Sequence, residues 1–233
     1  MTYLEMESPF QNAKWRVYPK LESTNSFVLE NKPPVFTVVQ ALSQTLGRGQ
    51  FERKFISQRE DSLTFSIALP PNLASYFTLI AGVCMCETLE QIGVYPKLKW
   101  PNDLYFKHKF GGILVESKND ISVLGIGLNI NPIQVPGIQT SSLLEEFGNK
   151  VDPAKVLRLF LRELNGYWFL YQKYGFEKLV EKWNKLDFLI GKTLVVDSIK
   201  GKGLGINSSG AYKLGTSIGV LEIMSGSVNI EST

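Results

Sequence analysis

Two neighbouring segments combine charged, amide and glycine residues at a spacing that could hold a small ligand. Residues 99–104 read Lys-Trp-Pro-Asn-Asp-Leu, and residues 109–116 read Lys-Phe-Gly-Gly-Ile-Leu-Val-Glu. Pro101 lacks an N–H and fixes its own φ, so a strand before it should end there. Asn102 and Asp103 are turn residues, whose short polar side chains fold back on the backbone or point into a cleft. The pattern predicts a strand end, a tight turn and a second strand.

Lys109 lies just before a glycine pair, Gly111 and Gly112. These glycines leave no Cβ between the backbone and a neighbouring group, so a flat ligand can lie against the strand. A lysine beside such a strand suits an anionic ligand. An ordinary β-hairpin explains the same residues, and these two segments alone leave both interpretations open.

The chain has one histidine and two cysteines, so it has few candidates for a Ser-His-Asp or Cys-His arrangement. The one histidine, His108, lies between two lysines, where a solvated turn residue is the expected role. Cys84 and Cys86 are two apart within a helical pattern, so they point to different sides and favour buried thiols over a metal pair. The chemistry is therefore expected to use nucleophiles that the substrates supply.

A third segment, residues 44–55, contains two glycines, three cations and two aromatic residues. This composition predicts a mobile loop that handles phosphate. The segment does not match a Rossmann fingerprint, because Glu52 stands where the third glycine should fall, and the chain has no Walker A motif. Nearer the N-terminus, Ser23 and Thr24 precede a helical pattern over residues 26–31 and suit an N-cap.

These motifs, together with Gly-Ile-Gly-Leu-Asn-Ile-Asn at residues 125–131, resemble those of the biotin protein ligases (biotin–acetyl-CoA-carboxylase ligases). The resemblance extends from about residue 15 to 230, with the motifs in the family's order. It implies an α+β fold in which a mixed β-sheet with flanking helices forms a class II synthetase-like catalytic domain. A small C-terminal β-barrel of SH3-like type follows, and the change in composition after Asp187 predicts domains over residues 1–187 and 188–233.

The resemblance also implies site residues. The catalytic residues are expected to be Lys109, Arg48 and Asp103. The biotin-binding residues are expected to be Ser23, Thr24, Asn25, Gln44, Gly47, Arg48, Gly49, Gln50, Lys109, Gly112 and Gly125. The ATP-binding residues are expected to be Arg53, Lys54, Phe55, Asn102, Asp103, Asn129 and Asn131. Mg²⁺ is expected to bind mainly through the ATP phosphates, without a fixed protein ligand.

The chain departs from the family's pattern in two places. Many family members have further arginines after the Gly-Arg-Gly motif, whereas this chain has Gln50, Phe51 and Glu52. The effect of these residues on retention of the adenylate is left open. The family's C-terminal module also has a Glu and an Arg after its last glycine turn, and here that basic residue is missing, so its contact with the nucleotide is left open.

The resemblance implies a ligase that works in two steps. The carboxylate of biotin attacks the α-phosphate of ATP, which gives biotinyl-AMP and pyrophosphate. A lysine amine of a biotin carboxyl carrier protein then attacks the adenylate and releases AMP. The enzyme positions the substrates and stabilises charge, and the Lys109 ammonium is expected to bridge the biotin carboxylate and the α-phosphate.

Three other functions fit parts of the sequence. Lipoate or octanoate ligases and transferases share the fold, although the Lys-Trp-Pro-Asn-Asp segment favours biotin. A non-catalytic biotinyl-AMP sensor would keep the biotin-binding residues but would not need Lys109. A nucleic-acid-binding C-terminal module is suggested by Lys192, Lys200 and Lys202, but no basic stripe with interleaved aromatic residues supports it.

The composition limits the class of protein. The chain has 233 residues, of which 44% are hydrophobic and 20% charged, as in soluble globular proteins with room for a medium and a small domain. A net charge of +3 does not by itself indicate nucleic acid. No apolar run is long enough to span a bilayer and no export signal is present, so a cytoplasmic protein without membrane contact is expected. The segment before residue 20 is too short for a helix-turn-helix domain, so DNA binding is not expected, whereas a homodimer is allowed.

Hydrophobic patterns and turn residues predict the elements that position these motifs. Strands are predicted over residues 35–41, 62–69, 97–100, 112–117 and 121–131, with a hairpin turn at 118–120. Helices are predicted over residues 26–31, 73–92, 152–174 and 176–186.

Overall fold

A computed structural model describes residues 3–8, 10, 13–50, 55–57, 61–71, 73, 76–226 and 228–231. Eight strands form the larger sheet: β1 (Leu4–Glu7), β2 (Lys14–Tyr18), β3 (Val38–Ala41), β4 (Ser62–Leu69), β5 (Lys97–Lys99), β6 (Asp103–Tyr105), β7 (Lys109–Lys118) and β8 (Ile121–Asn129). Their order across the sheet is β1-β2-β3-β4-β8-β7-β6-β5. The sheet is mixed, because β2 and β3 are parallel whereas the other neighbours are antiparallel.

Helices cover this sheet, and a second sheet follows them. The helices are α1 (Thr24–Asn31), α2 (Tyr76–Glu90), α3 (Leu143–Phe147), α4 (Pro153–Tyr174) and α5 (Glu177–Leu186). The second sheet is antiparallel, in the order β12-β11-β10-β9-β13. Its strands are β9 (Thr193–Val196), β10 (Ile199–Ile206), β11 (Tyr212–Thr216), β12 (Gly219–Ile223) and β13 (Asn229–Ile230). The structure thus confirms the predicted α+β class and agrees with a small C-terminal β-module of SH3-like type.

Alternation along the two central strands separates an apolar face of the large sheet from a polar one. In β4, Phe65 and Ile67 point into the main core, whereas Thr64 and Ser66 point to the opposite face. The main core lies between the sheet and helices α2 and α4, where the rings of Phe65 and Phe160 are 5.5 Å apart. The polar face of the sheet is therefore left for other contacts.

Helix α1 covers one end of that polar face with a smaller apolar cluster. Val28 of the helix is fully buried against Ala68 and Val123 of the central strands. Ser23 caps the helix, since its hydroxyl accepts the Ser26 N–H at 3.4 Å. The helix ends at Lys32, which adopts a left-handed conformation before a pair of prolines. The first turn of α1 is thereby fixed at the edge of the uncovered part of the sheet.

Most of the predicted elements are present with shifted ends. Strand β4 has the predicted bounds, and the predicted β7–β8 turn is present at Asn119, whose φ is 55°. The predicted helix over residues 73–92 begins at Tyr76 and ends at Glu90, and the strand over residues 35–41 begins at Val38. The two cysteines are buried free thiols, as predicted.

The strands predicted over residues 97–100 and 112–117 are present as β5 and β7, but they do not pair with each other as the strands of a two-strand hairpin would. A short strand, β6, lies between β5 and β7, and Asp103 pairs with Lys99 on one side and Gly112 on the other. The peptide between Trp100 and Pro101 is cis, and Asp103 is the first residue of β6. Strands β1 and β2 and helix α3 were not predicted.

The C-terminal sheet is attached to the large sheet through the last turn of α5 and the residues after it. The backbone N–H of Phe188 donates to the carbonyl of Leu98 at 2.8 Å, which continues the edge at β5. The Asp187 carboxyl accepts the Leu189 N–H at 2.8 Å and the Tyr212 hydroxyl at 2.8 Å. These bonds join the two parts of the chain, while the boundary between residues 187 and 188 stays a prediction.

Burial raises the pKa of Asp187 to about 6, against the lowering effects of the Leu189 N–H, the Tyr212 hydroxyl and the lysines Lys192 and Lys97. Since this folded-state pKa lies above the usual 3.8, the folded protein binds the proton more tightly than the unfolded chain does. The stabilisation from this group is fully present below about pH 4 and is lost as the pH rises through about 6.

Replacing Asp187 with asparagine should remove this pH dependence, because the amide has nearly the same shape and stays neutral. The free energy of unfolding of the wild type, minus that of Asp187→Asn, should fall by roughly 2–3 kcal/mol between pH 4 and pH 7. Urea denaturation at four pH values in this range measures the difference, with Asp120→Asn as an exposed carboxylate control. A difference that does not change with pH would show that Asp187 keeps an ordinary pKa.

Candidate active site

A patch without side chains lies at the centre of the polar face of the large sheet. Gly112 of β7 pairs with Gly127 of β8, and Gly125 lies one row further along β8, opposite Leu114. On the other side of β8, Thr64 and Ser66 of β4 continue these two rows. A cavity of about 630 Å³ lies over this patch. It has a size typical of small-molecule sites.

Asn25, in the first turn of α1, lies directly over Gly125. A Cβ at position 125 would overlap the side-chain oxygen of Asn25. That oxygen accepts the Ser66 hydroxyl at 2.6 Å, and the Asn25 amide donates to Glu116 at 2.8 Å. Asn25 was predicted to contact biotin, and the structure shows that its polar atoms also tie α1 to strands β4 and β7.

Three of the predicted biotin-binding residues come together beside Asn25. The backbone N–H and the hydroxyl of Thr24 both donate to the side-chain oxygen of Gln44, at 2.7 and 3.1 Å. The Ser66 hydroxyl lies 2.7 Å from that of Thr24, and Ser23 caps the same helix turn. Hydroxyl and amide groups that gather at one point suit a compact polar ligand group that both donates and accepts hydrogen bonds.

The glycine-containing loop after Gln44 folds back at Phe55. The Phe55 N–H donates to the carbonyl of Gly47 at 2.8 Å, and a Cβ at Gly47 would overlap the Phe55 carbonyl. The ring of Phe55 lies over Gly127, where a Cβ would overlap it. An aromatic ring therefore borders the cavity, in a place where a planar group could stack.

Of the three cations of this loop that were predicted to bind phosphate, Arg48 is among the described residues and the other two are not. Arg48 lines the cavity, and its guanidinium pairs with Glu116 at 2.8 Å. Arg53 and Lys54, predicted to bind ATP, lie outside the described residues, as do Phe51 and Glu52. The mobility of the loop accordingly stays a prediction.

Lys109 lies over the glycine patch at its second row. A Cβ at Gly112 would be 3.4 Å from the Lys109 ammonium, which forms an ion pair with Asp103. The register of β6 and β7 brings Asp103 beside Gly112. The structure therefore places a lysine and a carboxylate together at the cavity, one row away from Asn25 and Gly125.

The predicted asparagines have different positions. Asn102 lines the cavity and its amide donates to the Ile113 carbonyl at 2.9 Å, so it also holds the turn against β7. Asn129 lines the cavity and donates to the Ser141 carbonyl at 3.1 Å. Asn131 is not among the lining residues, and its amide donates to Asp61 at 3.2 Å.

Most of the predicted site residues line one cavity. Those that do so are Ser23, Thr24, Asn25, Gln44, Arg48, Gly49, Gln50, Phe55, Asn102, Asp103, Lys109, Gly112, Gly125 and Asn129. Gly47 supports the base of the loop but does not line the cavity.

His108 lies in the bend between β6 and β7, where its backbone N–H donates to the Ser141 hydroxyl at 3.2 Å.

Several lining residues were not identified from the sequence. The segment after β8 contributes an apolar wall through Ile133, Val135 and Ile138. The C-terminal sheet contributes Val228 and Asn229. Neither segment has a local signal that marks it as part of a site. The sequence did contain a signal for Thr64, which also lines the cavity, because polar residues alternate with apolar ones along β4.

The charges at the cavity are mixed, with cations in excess. Arg48, Lys99 and Lys109 line it together with the carboxylate of Asp103. Burial and the nearby Asp103 charge raise the pKa of the Tyr105 phenol, which also lines the cavity. Within the described part of the chain, no group of three or more His, Cys, Asp or Glu side chains could hold a metal ion. The site therefore suits an anionic ligand.

Comparisons with known proteins agree with this geometry. Residues 17–131 match the biotin/lipoate A/B protein ligase family. The biotin protein ligase of Aquifex aeolicus, solved in complex with biotin and ATP, is 30% identical, with a TM-score of 0.86 over 96% of this chain and 100% of that one. The bifunctional ligase/repressor BirA of Bacillus subtilis is 28% identical over 92% of this chain and 72% of its own length. BirA of Escherichia coli is 29% identical over 93% of this chain and 74% of its own length.

Two glycines of the patch should differ in their tolerance of a methyl group. Gly125→Ala should destabilise the protein by roughly 1–3 kcal/mol, because the new Cβ overlaps buried Asn25 and forces α1 away from the sheet. Gly112→Ala should change stability by less than about 1 kcal/mol, because the nearest group is the flexible end of Lys109. Urea denaturation of the two variants tests this, and equal losses would contradict the packing of Asn25 on Gly125.

Proposed function

This chain belongs to the biotin/lipoate A/B protein ligase family, and we propose that it is an ATP-dependent biotin–protein ligase. The enzyme activates biotin as biotinyl-AMP and transfers it to a lysine of a biotin carboxyl carrier protein. The acceptor is a subunit or domain of acetyl-CoA carboxylase or of a related carboxylase.

One observation carries this proposal. A single cavity joins a hydrogen-bonding pocket at Thr24 and Gln44 to the Lys109 ammonium across a floor of glycines. Biotin has a compact ureido ring that donates and accepts hydrogen bonds at one end and a carboxylate at the other. The cavity offers partners for both ends, and a solved relative of the same fold holds biotin and ATP.

The residues at the Lys109 end act by position and charge. The Lys109 ammonium draws the biotin carboxylate and the α-phosphate together and offsets the negative charge that both bring. Asp103 holds the ammonium over Gly112 until the substrates enter. Phe55 offers its ring to the adenine base, and Arg48, Arg53 and Lys54 neutralise phosphate charge.

Both nucleophiles come from the substrates. The biotin carboxylate forms a bond to the α-phosphorus as the bond to pyrophosphate breaks. The carrier lysine, after losing a proton, then attacks the adenylate carbonyl, and AMP leaves with the electron pair. Mg²⁺, when bound with ATP, would be held mainly by phosphate oxygens, which it prefers, and would offset their negative charge.

The location, oligomeric state and domain boundary of the enzyme rest on fewer observations than its chemistry does. No helix among the described residues is long and apolar enough to cross a membrane. A cytoplasmic location and the lack of DNA binding stay predictions from the sequence, which also allows a homodimer without predicting one. The catalytic domain is proposed to end at residue 187, with the C-terminal module from residue 188 closing one side of the cavity through Val228 and Asn229.

The choice of substrate is the first test of this function. The purified protein should attach labelled biotin to a carrier-domain lysine only when ATP and Mg²⁺ are both present. A carrier domain with its acceptor lysine replaced serves as the control. Transfer of lipoate or octanoate with biotin inert would contradict the assignment, as would tight binding of biotinyl-AMP without any transfer.

The role of Lys109 is tested by separating the two steps. Lys109→Ala should slow formation of biotinyl-AMP by about 100-fold or more, because the group that neutralises both anions is lost. Transfer from preformed biotinyl-AMP should slow by less than about tenfold, because the adenylate is already made. Lys107→Ala removes an exposed lysine of the adjacent bend that does not line the cavity, so it should leave both rates unchanged. Equal slowing of both steps in single-turnover measurements would contradict the role given to Lys109.

A further inference from the structure

Glu116 of β7 has an arrangement that the proposed reaction does not explain by itself. One of its carboxylate oxygens receives the Asn25 amide at 2.8 Å, and the other receives the Arg48 guanidinium at 2.8 Å. Only 20% of the Glu116 side chain is exposed, whereas the Arg48 side chain is half exposed at the rim of the cavity. Glu116 thus joins a buried residue of the sheet face to a cation of the glycine loop.

Asn25 holds the carboxylate rigidly. Asn25 is 4% exposed and is fixed by the Ser66 hydroxyl above the glycine patch. The same hydroxyl lies 2.7 Å from that of Thr24, which bonds to Gln44. A set of hydrogen bonds therefore runs from Ser66 through Asn25 and Glu116 to Arg48, and Ser66 contacts Thr24 of the proposed biotin pocket.

Arg48 keeps donors free of these contacts for a ligand. A guanidinium has five N–H donors in a rigid fork. One terminal nitrogen faces Glu116, and the other lies 3.4 Å from the Ser26 hydroxyl. Two fixed points set the plane of the guanidinium, and its remaining N–H groups can meet an anion in the cavity that Arg48 lines.

We propose that Glu116 is a positioning residue that holds Arg48 at the cavity rim, so that the arginine meets the phosphate of biotinyl-AMP without first being ordered. The inference rests on the proposed function for the identity of the anion. Glu116 does not touch the substrate and acts through Arg48. An isolated ion pair at this exposure would contribute little, but here the carboxylate is already fixed by Asn25, so only the arginine loses conformational freedom.

Two substitutions separate the two contacts of Glu116. In Glu116→Gln, the side-chain oxygen can still accept the Asn25 amide, but the other end of the side chain becomes an amide that repels the Arg48 donors. In Glu116→Ala, both contacts are lost. Asp120→Asn is the matched control, because Asp120 lies on the turn of the same hairpin and pairs with Lys32 away from the cavity.

The first measurement needs no ligand and does not depend on the function. Trypsin cleavage after Arg48, identified by mass spectrometry, should be about two- to fivefold faster in Glu116→Gln than in the wild type, because one half-exposed ion pair is lost. The melting temperature should change little in this variant. Asp120→Asn should be cleaved at the wild-type rate.

The second measurement uses the ligands. Glu116→Gln should raise the KM for ATP and release biotinyl-AMP about three- to tenfold faster, while the Kd for biotin stays unchanged because Asn25 keeps its partner. Glu116→Ala should weaken biotin binding as well, since Asn25 is then no longer held from β7. If Glu116 had a purely structural role, Glu116→Gln would not weaken the binding of ATP and biotinyl-AMP while leaving the Kd for biotin unchanged.

A double-mutant cycle decides whether the effect passes through Arg48. In an Arg48→Ala background, Glu116→Gln should have no further effect on the release of biotinyl-AMP. Additive effects of the two substitutions on the release of biotinyl-AMP would overturn the proposal. If the wild type is active and Glu116→Gln has the same kinetics as the wild type, the proposal is overturned as well. A wild-type protein that forms no biotinyl-AMP would instead refute the proposed function, and the cleavage rates would still report on the contact between Glu116 and Arg48.

Discussion

The site depends on the close approach of α1 to a sheet face that has no side chain at Gly125. The Asn25 side chain occupies the space that a Cβ at this position would take, and from there it reaches both Ser66 and Glu116. In the next row, the Lys109 ammonium lies over Gly112 and the Phe55 ring lies over Gly127. Neighbouring glycines thus have different roles, one in docking a helix and the others in giving space to two side chains that are proposed to bind the substrates.

A sheet face with few side chains contributes little apolar burial, so stability must come from elsewhere. The opposite face meets this need, since the apolar residues of β4 and β8 pack there against α2 and α4. On the polar face, the Ser66 hydroxyl and the Asn25 amide bond to each other, which removes the cost of leaving these two buried groups unpaired. Several residues of the candidate site thus bond first to one another, and a ligand must exchange those bonds for its own.

The elements with local signals were predicted well from the sequence. The capping serine of α1, the Asp152–Pro153 start of α4 and the alternation in β4 each depend on residues within one turn or one strand. Most of the site residues that the resemblance in motifs implied do line the cavity. It did not reveal Glu116, because that role depends on the register of β7 against Asn25 and Arg48, which are distant in the sequence.

The C-terminal sheet belongs to the active site in a physical sense. The indole N–H of Trp100 donates to the carbonyl of Gly210 at 3.1 Å, and its ring lies 5.8 Å from that of Tyr212. Trp100 immediately precedes the turn that leads to Asp103, the ion-pair partner of Lys109. The part of the chain that contains the C-terminal sheet therefore contacts the turn that leads to the ion-pair partner of the proposed catalytic lysine. It also forms the wall of the cavity at Val228 and Asn229.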